Sequence, residues 1–370
     1  MNTRRTGAHL HEGLGDVLTL TGDHVEARES YDRARSALPD ADVVARSRLH
    51  RKTGFSHNLQ RHYEETGRAF DLAEEKLNEA TSARTAEWWE ENVQIQLERM
   101  HLFYWQGMAE EMREIASRFR SAVEERGTPI QRGKFFQMLA LSHLTESRYR
   151  PSEECLGLAE LSISESEGSA NLSEASHVRF TLGLIHLWRG NFVEAIEHAE
   201  TALGLAERVG DRVIQARCLT YLAVAHRQAE QVESARSYAS RTLELASKLA
   251  MVEYVAMAHA NLAWVAWREG DNAATQRHGT KAVALWHAME DPYGFDWIAL
   301  WPMSAAALAE GRPAEAVAHV RGLFGPNQHP LAAELAAVTR EAIAAWERDG
   351  VGAKSALERV LQAAHEARQL

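Results

Sequence analysis

Residues 10–39 read LHEGLGDVLTLTGDHVEARESYDRARSALP, and this stretch decides the fold. The residues before Gly22 follow one helical pattern of apolar side chains, and those from Ala27 to Ala34 follow a second pattern that Pro39 ends. Glycine adopts the left-handed backbone that a tight break between two helices requires. The stretch therefore predicts two antiparallel helices joined by a short turn.

The same arrangement recurs along the whole chain. Its turn positions are Gly22, Arg61, Gly107, Ser147, Gly190, Glu230, Gly270 and Gly311, with gaps of 39, 46, 40, 43, 40, 40 and 41 residues. Five residues after each turn stands a contact position, at Ala27, Thr66, Met112, Ser152, Ala195, Ala235, Thr275 and Ala316. Because all but Met112 are small, two helices can approach closely there. The regular period predicts stacked helical hairpins.

We expect an all-α fold with a single domain at 1–370. Strand patterns of alternating apolar residues are nearly absent from the sequence. The predicted repeats are 8–39, 43–80, 87–127, 130–167, 174–209, 213–250, 254–290 and 295–325, followed by a terminal capping helix pair at 331–370. Repeats of this kind stack into a solenoid whose ends need polar caps.

The first copy resembles the tetratricopeptide repeat (TPR) on Leu14-Gly15, Ala27 and Pro39, with Leu18 in the place of its tyrosine and Tyr31 in the place of its phenylalanine. That family has a period of about 34 residues, so a period near 40 predicts longer helices. The resemblance implies a right-handed superhelix of about eight repeats. It also implies a concave face lined by the first helix of each repeat.

Composition argues against several classes of protein. The net charge of −11 disfavours a nucleic-acid-binding surface, which is usually basic. No apolar run has the length of a membrane span, and Cys155 and Cys218 are typical of reduced, buried thiols in a cytoplasmic protein. No nucleotide-binding, hydrolase or metal-ligand motif is complete, so we expect no enzyme activity, no cofactor and no metal site. Four of the 18 histidines stand four residues before a turn, at His57, His143, His186 and His226, where packing between helices explains them.

The expected concave face supplies the candidate binding residues. Positions thirteen, ten, six and three residues before each turn should be exposed there. The candidates for a ligand or partner are Arg48, Arg51, Asn58, Gln94, His101, Tyr104, Arg217, Arg227, Trp264, Trp267 and Trp301. Arginine and tryptophan are frequent anchors in interfaces. If Arg48 and Arg51 form an exposed binding face, changing both to alanine should move the thermal midpoint by only a few degrees.

Each cluster also has a structural interpretation. Tryptophan at helical spacing is usually core, and an arginine cluster is often solvated or paired with nearby glutamates. We therefore keep both interpretations for the tryptophans and for the arginines of the second repeat.

The repeats are most similar to the C-terminal TPR region of large bacterial signalling proteins, in which a class III adenylate/guanylate cyclase domain and an AAA-type ATPase precede it. The similarity is carried by residues 10–18, 48–54 and 301–311 and by Ala344-Ala345-Trp346. Large ATP-binding transcription regulators carry similar repeats. The cyclase carboxylates and the ATPase phosphate-binding loop have no counterpart here, so neither activity carries over.

Three functional hypotheses follow. The first is a non-catalytic protein- or peptide-interaction scaffold, the regulatory or sensor arm of a bacterial signalling or transcription-control system. Its partner would be a protein or peptide, such as an ATPase or cyclase module in cis or in trans. The second is a receptor for a small effector or peptide pheromone with an enclosed groove. The third is a fragment of a multidomain cyclase–ATPase, the C-terminal part of a longer architecture.

Overall fold

The computed structural model describes residues 2–80, 84–166, 171–290, 293–326, 328–348 and 352–370, and within these ranges every regular element is an α-helix. The all-α helical-repeat prediction is confirmed. The helices, α1 to α18 in chain order, are Asn2–Thr21, His24–Ala37, Val43–Leu59, Tyr63–Asn78, Ala86–Trp105, Ala109–Arg126, Pro129–Glu146, Glu153–Ser166, Leu172–Arg189, Phe192–Val209, Arg212–Gln228, Val232–Lys248, Val252–Arg268, Asn272–His287, Trp297–Ala309, Pro313–Gly322, Ala333–Arg348 and Ala353–Glu366.

Seven of the eight predicted turn positions have the left-handed backbone. Five are glycines, and Arg61 (φ 60°) and Glu230 (φ 59°) adopt it despite their side chains. The prediction at Ser147 is wrong, because Ser147 has φ −76° and the left-handed residues are Arg148 (φ 50°) and Tyr149 (φ 62°). The turn in this repeat is longer than the periodicity suggested.

The longer turn also moves the contact residue of the fourth repeat. Ser152 is exposed, and its hydroxyl accepts the backbone N–H of Cys155 at 3.2 Å at the start of α8. Cys155 is fully buried instead, with its thiol 3.3 Å from the carbonyl of Ala140. A cysteine fills the position because it is small and apolar enough for a close helix contact.

The glycine of the opening motif lets two helices approach. A Cβ atom at Gly15 would lie 2.4 Å from Cε1 of Tyr31, so the ring of α2 occupies the space that a side chain on α1 would need. The Tyr31 hydroxyl lies 3.0 Å from the hydroxyl of Thr19 and donates to the carboxylate of Asp16 at 3.0 Å. The aromatic residue of the motif is thus held at both its ring and its polar end.

Contacts divide the chain into two compact units, residues 1–190 with 197–215 and residues 191–196 with 216–370. In the first unit, the first helices of successive hairpins, α3, α5, α7 and α9, also contact one another. In the second unit, α13 contacts α15, and α18 packs against both α15 and α16. Side chains of neighbouring first helices can therefore interact directly within each unit.

Candidate functional sites

Most of the candidate binding residues are buried, so the expectation of exposure is wrong for them. The buried ones are Arg51, Asn58, His101, Tyr104, Arg217, Arg227, Trp264 and Trp301, each at most 8% exposed. Arg48, Gln94 and Trp267 are partly buried. The first helices of successive hairpins, called the inner helices from here on, lie close enough to cover one another's side chains. These residues therefore act on a ligand only where the surrounding atoms leave a polar group available.

The arginine of the second repeat forms a buried ion pair. Arg51 donates from Nε to Oε1 of Glu91 at 2.6 Å and from Nη2 to Oε2 at 3.2 Å, which is a bidentate arrangement between α3 and α5. Its Nη1 lies 3.9 Å from Oε1 of Glu98. Burial alone would lower the pKa of Arg51, but the charge and hydrogen bonds of Glu91 and the charge of Glu98 raise it. Arg51 therefore keeps its positive charge, and the two glutamates balance it.

This pair belongs to a ladder of charges that changes sign from one inner helix to the next. Glu12 on α1 accepts from Arg48 and from Lys52 on α3, each at 2.7 Å. Beyond the Arg51–Glu91 pair, Lys134 on α7 donates to Glu98 at 3.0 Å and to Glu174 on α9 at 3.4 Å. The charged residues of α1, α3, α5, α7 and α9 that pair in this way are called the charge ladder, and they are Glu12, Arg48, Arg51, Lys52, Glu91, Glu98, Lys134 and Glu174.

Electrostatics within the ladder stabilise the charged forms of Glu12 and Lys134. Burial raises the pKa of Glu12, but hydrogen bonds and charges from Arg48 and Lys52 outweigh it and lower the pKa to about 2. Burial lowers the pKa of Lys134, but the charges of Glu174 and Glu98 raise it overall. The cationic face predicted from Arg48 and Arg51 is consequently balanced by carboxylates from neighbouring repeats.

Three more candidates form a polar and aromatic cluster beside the ladder. The Asn58 side-chain nitrogen lies 3.2 Å from Nδ1 of His101, and the indole N–H of Trp105 donates to Nε2 of His101 at 3.2 Å. The ring of Tyr104 stacks on that of His101, with centroids 6.4 Å apart. Gln94 donates to Glu98 at 2.8 Å, which links it to the ladder.

In the second unit, Arg227 lies among aromatic rings and main-chain oxygens. Its guanidinium carbon is 5.7 Å from the ring of Trp264 and 5.8 Å from that of Trp297. Nη1 donates to the carbonyl of Ile298 at 2.7 Å, and Nη2 donates to the carbonyl of Gln369 at 2.9 Å. Burial lowers the pKa of Arg227 to about 9. Among the described residues no carboxylate pairs with it.

Trp301 binds the same segment that Arg227 binds. Its indole N–H donates to the side-chain oxygen of Gln369 at 3.1 Å. Arg368 donates to Glu230 at 2.7 Å, and Leu370 is 8% exposed. We call Arg227, Glu230 and Trp301 the segment site, because together they hold Arg368 and Gln369 in the segment 368–370.

The structure does not bring all the candidates of the second unit into this site. Trp264 contributes its ring to Arg227, and its own indole N–H is buried without a partner among the described residues. Trp267 packs on the apolar side of Trp264 together with Ala235 and Val265. Arg217 is buried elsewhere on α11, ten residues before Arg227.

Sequence reasoning missed the partners of the candidates. Lys134 stands thirteen residues before Ser147, as Arg48 does before Arg61, so the register alone could have identified it. Gln369 gave no signal of this kind, because it follows the last helix and has no equivalent in other repeats. Only the three-dimensional path of residues 367–370 brings it to Arg227.

A cavity of about 440 Å³ lies near the last repeats of the second unit. Its lining is mainly apolar, from Trp286, Met289, Tyr293 and Leu300. Asp296 also lines it, with Oδ2 2.7 Å from Nε2 of His287 and with Oδ1 buried and without a partner among the described residues. Burial raises the pKa of Asp296. An apolar cavity with one buried carboxylate suits a small ligand that carries a donor.

The described part of the chain contains neither a metal-site cluster nor a membrane-spanning helix. No three or more histidine, cysteine, aspartate or glutamate side chains come together there as a metal site. None of the helices described above combines the length and the apolar character needed to cross a membrane.

Family models for the tetratricopeptide repeat match residues 173–248 in one case and residues 8–33, 256–278 and 297–321 in another. The matched stretches are tetratricopeptide repeats. The matches fall on helical hairpins in both units, so the repeat assignment from the opening motif is confirmed. No curated protein matches the chain by sequence.

Three solved structures illustrate the similarity in fold. A Rap protein complexed with competence and sporulation factor has a TM-score of 0.61 and 12% identity, over 90% of this chain and 88% of that chain. NprR in complex with its cognate peptide NprX has a TM-score of 0.56 and 12% identity, over 86% and 83%. A signal transduction ATPase with a tetratricopeptide repeat sensor from Pyrococcus horikoshii has a TM-score of 0.55 and 14% identity, and the match spans 86% of this chain and 48% of that chain.

Proposed function

We propose that the chain is a non-catalytic, cytoplasmic scaffold that binds a protein or peptide, as the regulatory or sensor arm of a bacterial signalling or transcription-control system. One observation carries the proposal. The segment site binds a stretch of polypeptide through a main-chain carbonyl, which Arg227 holds at 2.9 Å, and through a side-chain amide held by Trp301.

The chemistry of this site suits a polypeptide segment that presents a free main-chain carbonyl. A buried guanidinium between two indole rings offers several N–H donors in a fixed plane, and main-chain carbonyls are acceptors that every peptide supplies. Hydrogen bonds to a charged donor are stronger than neutral ones, about 1.5–3 kcal/mol each when buried. The main-chain contact supplies affinity, and the flanking contacts supply specificity.

Solved relatives of the fold agree with this proposal. Two of them are complexes, one with competence and sporulation factor and one with a cognate peptide. The third carries its repeats as the sensor of a signal transduction ATPase, which favours an ATPase or cyclase module as the partner in cis or in trans. Under the related hypothesis, this chain is the repeat portion of a cyclase–ATPase, and binding to a separately purified ATPase module would test it.

Selection from a random peptide library on the chain with residues 368–370 replaced by Gly-Ser-Gly tests the proposal, because the segment site is then open to a free peptide. We expect selected peptides to bind this chain and to lose at least tenfold in affinity when Trp301→Phe is added, which removes the indole N–H donor and leaves a smaller aromatic ring. Trp267→Phe, outside the segment site, is the matched control. Failure to select any peptide, or equal loss in both variants, would contradict the proposal.

The cavity beside Asp296 supports the small-effector hypothesis as a second candidate function. One oxygen of its buried carboxylate has no partner among the residues that the structure describes and would accept a hydrogen bond from an amine on an apolar body. A thermal-shift screen with hydrophobic amines on the wild type and on Asp296→Asn should then show stabilisation of the wild type alone. Stabilisation of both, or of neither, would remove the cavity from consideration.

A further inference from the structure

We infer that the segment site takes a peptide that turns at the end of a helix and presents arginine, a side-chain amide and an apolar residue in succession, and that residues 368–370, Arg-Gln-Leu, are its intramolecular occupant. The inference rests on the proposed function and names the class of peptide that this one site binds. It also implies that a free peptide of the same chemistry competes with the chain's own segment.

The path of the segment brings its side chains to the site. Helix α18 ends at Glu366, and Arg368 has a left-handed backbone with φ 58°, which non-glycine residues rarely adopt. The N–H of Gln369 then donates to the carbonyl of Ala364 at 2.8 Å. This turn closes the helix and directs the following residues away from its axis toward α11 and α15.

Each of the three residues has its own contact. Arg368 donates to Glu230 at 2.7 Å, and His365 approaches the same carboxylate at 3.8 Å. Gln369 offers its carbonyl to Arg227 and its amide oxygen to Trp301. Leu370 is 8% exposed, so its apolar side chain is almost entirely removed from water. The site therefore contacts a cation and an acceptor-bearing side chain in that order, and the apolar residue that follows them is buried.

The contributions of these contacts are unequal. The Arg368 side chain is 53% exposed and that of Glu230 is 36% exposed, so water screens their ion pair and its contribution is small. Arg227 is 3% exposed, and losing its acceptor would leave buried N–H groups without a partner. Backbone and amide contacts thus dominate affinity, while the Glu230 pair adds a preference for a cation.

A covalently attached occupant competes strongly with a free peptide. A short connection gives an effective concentration in the millimolar range, so the attached segment excludes ligands that bind more weakly. Removing the segment should therefore raise the apparent affinity for a free peptide without adding any contact.

The test uses the full-length chain and a fluorescein-labelled peptide GSHEARQL, followed by fluorescence anisotropy. In the test variant, residues 368–370 are replaced by Gly-Ser-Gly. We expect this variant to bind the peptide at least tenfold more tightly than the wild type. The control chain carries Lys354→Ser and Arg359→Ser, two changes on α18 outside the site, and should bind the peptide as the wild type does.

Charge reversal tests the preference for a cation. The peptide GSHEAEQL should bind the replaced chain at least threefold more weakly than GSHEARQL, and Glu230→Lys in that chain should reverse the order. If the replaced chain fails to fold, Arg368→Glu in the otherwise native chain provides a second test of whether the native segment competes with the peptide. Repulsion from Glu230 then loosens the segment, and GSHEARQL should again bind more tightly than to the wild type.

Equal binding with and without the native segment would overturn the inference of an intramolecular occupant. Equal binding of the two peptides would overturn the specificity. If the replaced chain binds library-selected peptides but not GSHEARQL, the inference fails and the proposed function stands. If it binds neither, both fail.

Discussion

Removing the charge of Arg51 should destabilise the first unit strongly, although sequence reasoning placed this residue on an exposed face. The change Arg51→Met keeps the aliphatic stem and removes the guanidinium. Glu91, 5% exposed, then loses both hydrogen bonds of its bidentate pair. Glu98 keeps its contact with Lys134.

The expected magnitude follows from burial. Breaking a buried ion pair by removing one partner costs about 3–5 kcal/mol, because the remaining charge is left without compensation. For a cooperative unit of about 200 residues, each 1 kcal/mol lowers the midpoint by about 2–4 °C. We therefore expect the thermal midpoint of the first unit to fall by roughly 6–20 °C, measured by scanning calorimetry. The earlier expectation of a few degrees assumed an exposed side chain and is revised.

Two controls separate charge from packing. The double change Arg51→Met with Glu91→Leu removes both charges and should recover most of the loss, since a buried pair and a packed apolar pair are often similar in stability. Arg33→Met removes one partner of an exposed pair, with side chains 63% and 62% exposed, and should change stability by less than about 1 kcal/mol. If Arg51→Met matches Arg33→Met, or if the double variant is no better than the single one, the reasoning is refuted.

Three further results are expected. Gly15→Ala should destabilise the chain in urea unfolding, because its Cβ would lie 2.4 Å from the Tyr31 ring. The control Gly13→Ala on the same helix meets nothing within 4 Å and should stabilise the chain by about 0.5–1 kcal/mol. A similar effect of both changes would contradict the close packing at Gly15. Because the pKa of Glu12 is lowered from 4.5 to about 2, its contribution to the free energy of unfolding is complete above pH 4.5 and is lost as the pH falls toward 2. Glu12→Gln should therefore flatten the stability–pH curve in that range. An unchanged slope would argue against the pairing of Glu12 with Arg48 and Lys52. Trp301→Phe should accelerate hydrogen exchange at the amide of Gln369 without unfolding the unit, and unchanged exchange would show that the indole bond to Gln369 does not restrain the segment.

The helical-repeat fold could be predicted from the sequence because the signals are local. Glycines at Gly22, Gly107 and Gly190 mark turns where the backbone is left-handed, and Thr128 caps α7 with Gln131 three residues later. At Ser147 the same reasoning failed, because periodicity fixes only the average spacing. It does not show that Arg148 and Tyr149 lengthen one loop.

The candidate site was harder to predict because it depends on pairs far apart in sequence. The register selected Arg51 and Arg227, but it could not show that Glu91 neutralises the first from 40 residues away. Nor could it place Gln369 against the second, 142 residues away. Residue type identified the side chains with chemistry to offer, and only the packing of neighbouring helices showed which of them are already paired.

The alternation of the charge ladder restricts how such a chain can lengthen or shorten. Negative α1, positive α3, negative α5, positive α7 and negative α9 alternate hairpin by hairpin. Duplicating or deleting a single hairpin here would bring two inner helices of the same sign together in a buried setting. Duplicating two adjacent hairpins would preserve every opposite-sign neighbour. Viable insertions and deletions within this unit should therefore come in pairs of hairpins, and designed extensions of the array should follow the same even count.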